Sequence, residues 1–289
     1  MTQMQPLVSG YGLLEAARWY PEYGLLFSDM TRGGVYRLAD SGAAPEVVIP
    51  HRKGIGGLVA HAGGGLVVAG RNVAWKAPVG SGGTVFEKRD DEQFFNDLTA
   101  DHSGRLYVGS VALDPPAGAE RGLGRLYRIA VDGAVDVLAD DVTVSNGLGV
   151  SPADDVLYHV DTHRKTVWAY SGTDRRAFVT TDEYGGVPDG LAVAADGSVW
   201  VAMAGGSVVV GWDADGRRIG EIPVPQALVT SVTFGDADGR TLYVLTGIDA
   251  EHPDPNGGSV YAVRSDRQGQ PGPRAAVPTA AVPMKEPIR

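Results

Sequence analysis

Short hydrophobic runs of β-type residues recur along the chain at nearly regular intervals. Each run spans four residues dominated by aliphatic and aromatic side chains, and the second residues of the six runs are Leu25, Leu66, Leu106, Leu157, Val199 and Leu242. The steps between them are 41, 40, 51, 42 and 43 residues. A period near forty residues with several strands per repeat is typical of a β-propeller. The pattern therefore predicts six blades.

Polar residues follow the same period. The residues that stand 10 to 12 positions before the second residues of the six runs are Glu15, Gly56, Asn96, Asn146, Asp189 and Thr230. Each lies near the start of the first strand of its repeat, and the innermost strands of a propeller surround one axis. We expect the four larger oxygen-bearing residues to converge at one mouth, where the glycine and the threonine leave room.

The remaining residues of each repeat are consistent with four strands joined by tight turns. In the third repeat, 126–129 reads as a third strand and 135–138 as a more polar fourth strand. Turn pairs such as Asp196-Gly197 suit hairpins, and Asp213–Gly216 and Asp236–Gly239 read as hairpin turns rather than calcium loops. No long segment has a convincing helical period. The prediction is an all-β, six-bladed propeller with four-stranded antiparallel blades.

The chain ends and two long connections complete this prediction. We expect 1–289 to form a single domain in which Pro6–Ser9 adds a strand to the sixth blade, pairing near Ala275–Val277, and in which 283–289 is a frayed tail. The connections at 112–124 and 248–258 link second to third strands, at the end of the blade where the first strand begins. Long loops in compact domains are frequently functional, so both are expected to overhang the mouth.

Composition excludes several classes of function. The 289 residues carry a formal net charge of -10, which disfavours nucleic acid as a partner. The absence of cysteine excludes disulfides, thiolate metal sites and a cysteine nucleophile. No run approaches the roughly 18 apolar residues of a membrane helix, and no signal peptide is visible. The expectation is a cytoplasmic protein with a small-molecule partner, no nucleic-acid or membrane partner, and a monomeric or weakly homo-oligomeric state.

Two carboxylates and two amides brought into one mouth favour a cation. Like charges held close together raise each other's pKa unless a cation neutralises them. Hard divalent ions take oxygen ligands of this kind. No histidine occupies one of the six positions, and His159 with His163 does not have ligand geometry on a strand and turn. The sequence therefore predicts a central metal site.

Several stretches resemble the family of gluconolactonases, regucalcin (senescence marker protein) and luciferin-regenerating-enzyme-like proteins. They extend over roughly 15–247 in the family's order. The matching stretches are Glu15–Trp19, Phe95–Leu98, Ser145–Leu148 with Ser151-Pro152 and Asp161-Thr162, Pro188–Leu191, Asp196–Ala202 and Thr230–Gly235.

The resemblance implies a lactonase-type hydrolase with one catalytic divalent metal ion. The ion would be held by Glu15, Asn146 and Asp189, and Asn96 would contact the substrate. The metal would polarise the lactone carbonyl, with Asp189 as ligand and as general base for water. Calcium is the first choice, and zinc, magnesium, manganese and iron are the alternatives.

Two departures from the family pattern bear on the substrate. Where the family usually carries Gly-Pro or a similar pair after the glutamate, this chain has Ala16-Ala17. Where the sugar-lactone enzymes place a basic residue two positions before the asparagine, this chain has Phe94, followed by Phe95. An aromatic ring lacks the donors that polyol recognition needs. We therefore expect a substrate more apolar than a sugar lactone, with Phe94 or Phe95 as a wall and one of the two in the core.

Two other functions stay open at this point. A metal ion in the same site could act as a Lewis acid in an isomerisation or cyclisation of a biosynthetic intermediate, because a propeller does not fix its chemistry. The chain could also be a cation-binding propeller without turnover.

Overall fold

The computed structural model describes residues 4–39, 43–113, 122–172 and 174–280. The secondary structure of these residues consists of β-strands joined by turns and loops. The first half of the chain contains β1 (Pro6–Tyr11), β2 (Leu14–Tyr20), β3 (Gly24–Asp29), β4 (Val35–Leu38), β5 (Glu46–Ile49), β6 (Leu58–Ala60), β7 (Leu66–Val68), β8 (Asn72–Lys76), β9 (Gly83–Glu87), β10 (Glu92–Ala100), β11 (Leu106–Ala112), β12 (Gly124–Ile129) and β13 (Val135–Val142). The second half contains β14 (Ser145–Val150), β15 (Leu157–Asp161), β16 (Thr166–Ser171), β17 (Asp174–Thr180), β18 (Val187–Val193), β19 (Val199–Ala204), β20 (Val208–Trp212), β21 (Arg218–Pro223), β22 (Val229–Gly235), β23 (Thr241–Thr246) and β24 (Gly258–Arg264).

These strands form six four-stranded sheets, which confirms the predicted number of blades. Five sheets take four consecutive strands in order, beginning with β2, β6, β10, β14 and β18. The sixth has the order β1-β24-β23-β22. The described residues group into two compact units, one within Met1–Ile55 and Asn146–Gly272 and the other within Gly56–Ser145 and Pro273–Arg289. The prediction of a single domain over 1–289 stays a prediction.

The sixth sheet combines both ends of the chain. Pro6 pairs with Tyr261 and Val8 with Val260, so the prediction that the first strand joins the sixth blade is confirmed. Its predicted pairing near Ala275–Val277 was wrong. Ala275 instead forms a parallel bridge with His61, beside β6. The physical reason is that β24 offers a regular edge of backbone donors and acceptors, whereas the proline-rich stretch around 275–277 lacks several N–H groups.

Buried aliphatic and aromatic side chains fill each unit between neighbouring sheets. In the first unit, one cluster joins the fourth and fifth blades around Tyr158, Val201 and Trp212. In the second unit, the rings of Phe86, Phe95 and Tyr127 pack against one another at 5.1–6.1 Å between centroids. Strands such as β3 and β11 are buried along their whole length, so side chains from both of their faces contribute to the core, because successive side chains point to opposite faces.

The turns and loops follow the predictions where the structure describes them. Gly216 donates its N–H to the Asp213 carbonyl at 2.9 Å, and Gly239 does so to Asp236 at 3.0 Å, as hairpin turns require. The connection after β23 is long, as expected. Residues 114–121 of the other long connection, and the tail 283–289, lie outside the described residues. Within the described part of the chain there is no apolar helix of membrane-spanning length.

Candidate functional site

A β-bulge lies at or beside several of the predicted site residues. Glu15 pairs with Ser28, and the strand register shifts immediately after it. Asp189 lies inside the register shift between Pro188 and Leu191, and Asn96 lies inside a shift in the other unit. A bulge leaves a residue unpaired and re-aims its side chain. The inner strands are therefore locally irregular at or beside Glu15, Asn96 and Asp189.

The backbone at Ala16 shows what the first of these bulges requires. Its φ angle is 61°, in the left-handed region that favours glycine. Ala16 begins the Ala16-Ala17 pair that departs from the pattern expected from the resemblance. Ala16 therefore adopts a glycine-type conformation although the residue is alanine, directly after Glu15 within β2.

The two carboxylates of the predicted metal site are almost completely buried. Glu15 is 8% exposed and Asp189 is 7% exposed, whereas Asn146 is half-buried. Burial of two carboxylates is costly unless their charge is compensated. Both lie in the first unit, as does Asn146.

Thr162 connects the strands that carry Asn146 and Asp189. Asn146 Nδ2 donates to the Thr162 hydroxyl at 3.2 Å, and that hydroxyl donates to the Pro188 carbonyl at 2.9 Å. Since Nδ2 faces Thr162, the amide oxygen Oδ1 of Asn146 points elsewhere. The strands also meet at backbone distance, because a Cβ placed on Gly147 would lie 2.6 Å from the Asp189 carbonyl oxygen.

Thr230 and Ser231 connect the strand of Asp189 with that of Glu15. A Cβ placed on Gly190 would lie 2.7 Å from the Thr230 carbonyl oxygen. The Thr230 hydroxyl donates to the Leu14 carbonyl at 2.5 Å, and Ala17 N–H donates to the Ser231 hydroxyl at 3.1 Å. Thr230 therefore ties two inner strands together, which is more than the space-leaving role expected from the sequence.

These contacts place the three predicted ligands on inner strands of the same unit that touch in succession. The order of contact is β14, β18, β22 and β2. Within the described residues, no three His, Cys, Asp or Glu side chains are grouped as a metal site. The predicted donor set differs from such a group because one of its three members is an asparagine.

Asn96 lies in the second unit, on β10, and is half-buried. Its Nδ2 donates to the Ser145 carbonyl at 2.9 Å. A Cβ placed on Gly56 would lie 2.2 Å from Asn96 Oδ1. The glycine of the second repeat therefore makes space specifically for the amide of the third.

The two phenylalanines before Asn96 have different environments. Phe95 is fully buried, with its ring centroid 5.4 Å from that of Phe86 and 6.1 Å from that of Tyr127. Phe94 is half-buried. Phe95 is thus the core residue of the pair, and Phe94 is the one that stays a candidate for contact with substrate.

The two histidines with four-residue spacing do not form a site. His159 is fully buried on β15, with its ring centroid 6.2 Å from that of Tyr170. His163 is exposed on the turn that follows. The absence of a metal shared by these two histidines stays a prediction from the sequence.

Two structural features were not predicted from the sequence. Thr162 belongs to the Asp161-Thr162 stretch that resembles the family, but the sequence does not indicate that its hydroxyl bridges two strands. His252, in the loop after β23, was not singled out. The sequence gives little indication of its orientation, because only Asp249, three residues earlier, suggests a hydrogen-bond partner for the imidazole.

Comparisons with known proteins fit this architecture. A family model described as the SMP-30/Gluconolactonase/LRE-like region matches residues 13–248. The pentonolactonase XacC of Haloferax volcanii is 30% identical over 254 residues, covering 85% of each chain. The 6-deoxy-6-sulfogluconolactonase of Pseudomonas putida is 30% identical over 267 residues, covering 86% of this chain and 89% of the relative. A crystal structure of the calcium-binding protein regucalcin from Agrobacterium tumefaciens superimposes with a TM-score of 0.82 at 21% identity, covering 94% of this chain and 96% of that one.

Proposed function

The chain belongs to the SMP-30/gluconolactonase/LRE-like family, and we propose that it hydrolyses a lactone with one divalent cation held by Glu15, Asn146 and Asp189. The reaction adds water across the ring ester, so that the carbonyl carbon gains a C–O bond and the ring C–O bond breaks. The product is a hydroxy acid. Two relatives that match most of the chain are named as lactonases, which supports this reaction class.

The observation that carries the proposal is the succession of contacts between the inner strands of the first unit. Thr162 bridges Asn146 and the residue before Asp189, and Thr230 bonds to the carbonyl of the residue before Glu15. Three oxygen-bearing side chains on strands held in this way are a suitable basis for a pre-organised site, because hydrogen bonds of 2.5–3.2 Å tie their strands together.

The donor chemistry fits a hard cation. Two carboxylates balance a double positive charge, and an amide oxygen adds a neutral ligand of the same class. Glu15 and Asp189 are each more than nine-tenths buried, so a bound cation would offset the cost of burying two negative charges. Calcium is the first choice, since a structural neighbour is described as a calcium-binding protein. Zinc, magnesium, manganese and iron are the alternatives to test.

The residues take the following roles. When bound, the cation supplies Lewis-acid stabilisation of the negative charge that develops on the lactone carbonyl oxygen. The Asp189 carboxylate accepts the proton of the attacking water, which adds general-base catalysis to its role as ligand. Asn146 presents its Oδ1 because Thr162 holds its Nδ2. Asn96 hydrogen-bonds the substrate through its amide.

The substrate is proposed to be more apolar than a sugar lactone. Phe94 stands where a basic residue would otherwise bind hydroxyl groups, and its side chain is half-buried rather than part of the core. An apolar wall favours an alkyl or lightly substituted ring. Kinetics with gluconolactone and an alkyl δ-lactone test this, and a preference of the wild-type protein for gluconolactone would contradict it.

The proposed function is tested by metal-restored activity. The protein is stripped with chelator, divalent ions are added back singly, and hydrolysis of a lactone panel is followed by acid release. We expect one or more ions to restore turnover, and Asp189→Asn to lower it by at least about 1000-fold, since it removes the base and weakens the ligand set. Absence of lactone turnover with every ion would reject the proposal.

One alternative has an observation in its favour. The structural neighbour from Agrobacterium tumefaciens is named as a calcium-binding protein, and its name mentions no reaction. Tight calcium binding by the wild-type protein without turnover of any lactone would support a cation-binding propeller. Conversion of a lactone to a product that is not the hydroxy acid would instead support the Lewis-acid isomerase or cyclase.

A further inference from the structure

The loop after β23 holds a histidine in a defined orientation near the end of blade five where Asp189 lies. The loop comprises residues 247–257, all within the first unit. Ile248 N–H donates to the Gly12 carbonyl at 3.2 Å, and Gly10 N–H donates to the Asn256 carbonyl at 2.8 Å. The buried Gln226 side chain donates to the Gly257 carbonyl at 2.7 Å. Both ends of the loop are thus anchored to the body of the unit.

Asp249 fixes the imidazole of His252 within this loop. Its Oδ1 accepts the backbone N–H groups of Glu251 and His252 at 2.9 and 2.7 Å, and lies 3.0 Å from His252 Nδ1. A carboxylate only accepts hydrogen bonds, so Nδ1 carries the proton of this contact. In the neutral imidazole, Nε2 is then an acceptor.

The Nε2 atom lies beside Gly205 of blade five. A Cβ placed on Gly205 would lie 3.2 Å from His252 Nε2 and 3.5 Å from the Cα of Gly186. Gly186 and Gly205 lie at the same end of the blade, because Val187 pairs with Ala204. Gly186 is three residues before Asp189, a span of at most about 10 Å of extended chain.

We propose that His252, oriented by Asp249, accepts a hydrogen bond from a hydroxyl substituent of the lactone. A lactone ring offers only acceptor oxygens, so a hydroxyl group is the donor that a simple substituted lactone can present to an acceptor nitrogen. The His252 side chain is 28% exposed, so part of it is open to solvent. This inference rests on the proposed lactonase function and narrows its substrate to a largely apolar lactone that carries a hydroxyl group.

The test uses two lactones of nearly equal shape. The first is γ-hydroxymethyl-γ-butyrolactone, and the second is γ-ethyl-γ-butyrolactone, in which a methyl group replaces the hydroxyl. We expect His252→Phe to lower kcat/KM for the hydroxymethyl lactone by about tenfold, the usual effect of one lost hydrogen bond. The same variant is expected to stay within about twofold of wild type on the ethyl lactone.

Two further variants separate recognition from structure. His252→Gln keeps an acceptor and is expected to retain part of the preference. Asp249→Asn keeps an oxygen for the two backbone N–H groups but weakens the contact with Nδ1, so it should raise KM for the hydroxymethyl lactone while kcat stays nearly constant. Glu251→Gln, at an exposed neighbouring position, is the matched control and should match wild type.

Two results would overturn the inference. If wild type hydrolyses both lactones and His252→Phe loses activity equally on the two, or on neither, His252 does not read the hydroxyl group. If wild type hydrolyses no lactone with any ion, the proposed function fails, and this inference fails with it. Thermal melting of each variant distinguishes a loss of folding from a loss of recognition.

Discussion

Thr162 offers the sharpest test of how the site is held together. Its hydroxyl accepts from Asn146 and donates to Pro188, at 3.2 and 2.9 Å, and the residue is 7% exposed. Thr162→Val keeps the shape of the side chain and removes both hydrogen bonds. The Pro188 carbonyl loses this donor in a buried setting, and the Asn146 amide loses the contact that orients it.

The expected magnitudes follow from these two bonds. Removing the partner of buried polar groups costs about 1–3 kcal/mol of unfolding free energy, and each kcal/mol lowers the Tm by about 2–4 °C in a domain of this size class. Loss of an outer partner of a metal ligand lowers metal affinity by about 10–100-fold. The stabilisation that saturating metal gives to the fold should therefore shrink by about 1.4–2.7 kcal/mol.

The assay combines two measurements on the stripped protein. Calorimetric titration with calcium gives the Kd of each variant, and thermal unfolding with and without calcium gives the linked stability. Thr162→Ser is the matched control, because it retains the hydroxyl and loses only a methyl group worth about 0.8 kcal/mol. The reasoning is refuted if Thr162→Val binds the ion within about twofold of wild type, or if Thr162→Ser is weakened as much as Thr162→Val.

Two further predictions concern the second unit. Gly56→Ala should displace the Asn96 amide, since the new Cβ would lie 2.2 Å from Oδ1. We expect it to lower the free energy of unfolding by about 1–3 kcal/mol and to remove much of the turnover. Gly220→Ala is the control, because its Cβ would have Trp200 at 3.6 Å as its nearest neighbour, and it should be close to neutral in the same melting and kinetic assays. Burial and then the Asp101 charge raise the pKa of Tyr107 to about 12. Because the unfolded tyrosine ionises near pH 10, the stability from its neutral hydroxyl is complete below pH 10 and is lost as the pH rises toward 12. Over this range the free energy of unfolding should therefore fall less steeply with pH in Tyr107→Phe than in wild type. Identical slopes in the two proteins would contradict this.

The strands and the candidate ligands were predictable because their signals are local. Alternating hydrophobic residues define a strand over about six positions, and turn residues mark its ends. The repeat of these signals identified the blades, and counting back from them gave six positions that include Glu15, Asn146 and Asp189. The resemblance to the family then implied that these three hold the metal ion. None of these steps requires knowledge of which segments touch, and so a single sequence was sufficient for them.

The separation of Phe94 from Phe95 was predictable only in part. Alternation along a strand predicts that one ring faces the core and the other does not. Which of the two is buried depends on the register of β10, and that register shifts at the bulge beside Asn96. The aromatic partners Phe86 and Tyr127 decide the outcome, and they come from other strands.

The sequence by itself determined the number of blades, their strands and the positions of the oxygen-bearing residues at the inner strands. The tertiary structure alone decided that the first strand pairs with β24, that Thr162 bridges Asn146 and Pro188, and that His252 points toward Gly205. The physical reason is the range of the interactions. Periodicity and turn chemistry act over a few residues, whereas a closing strand, a bridging hydroxyl and an oriented imidazole depend on segments that folding brings together from distant parts of the chain.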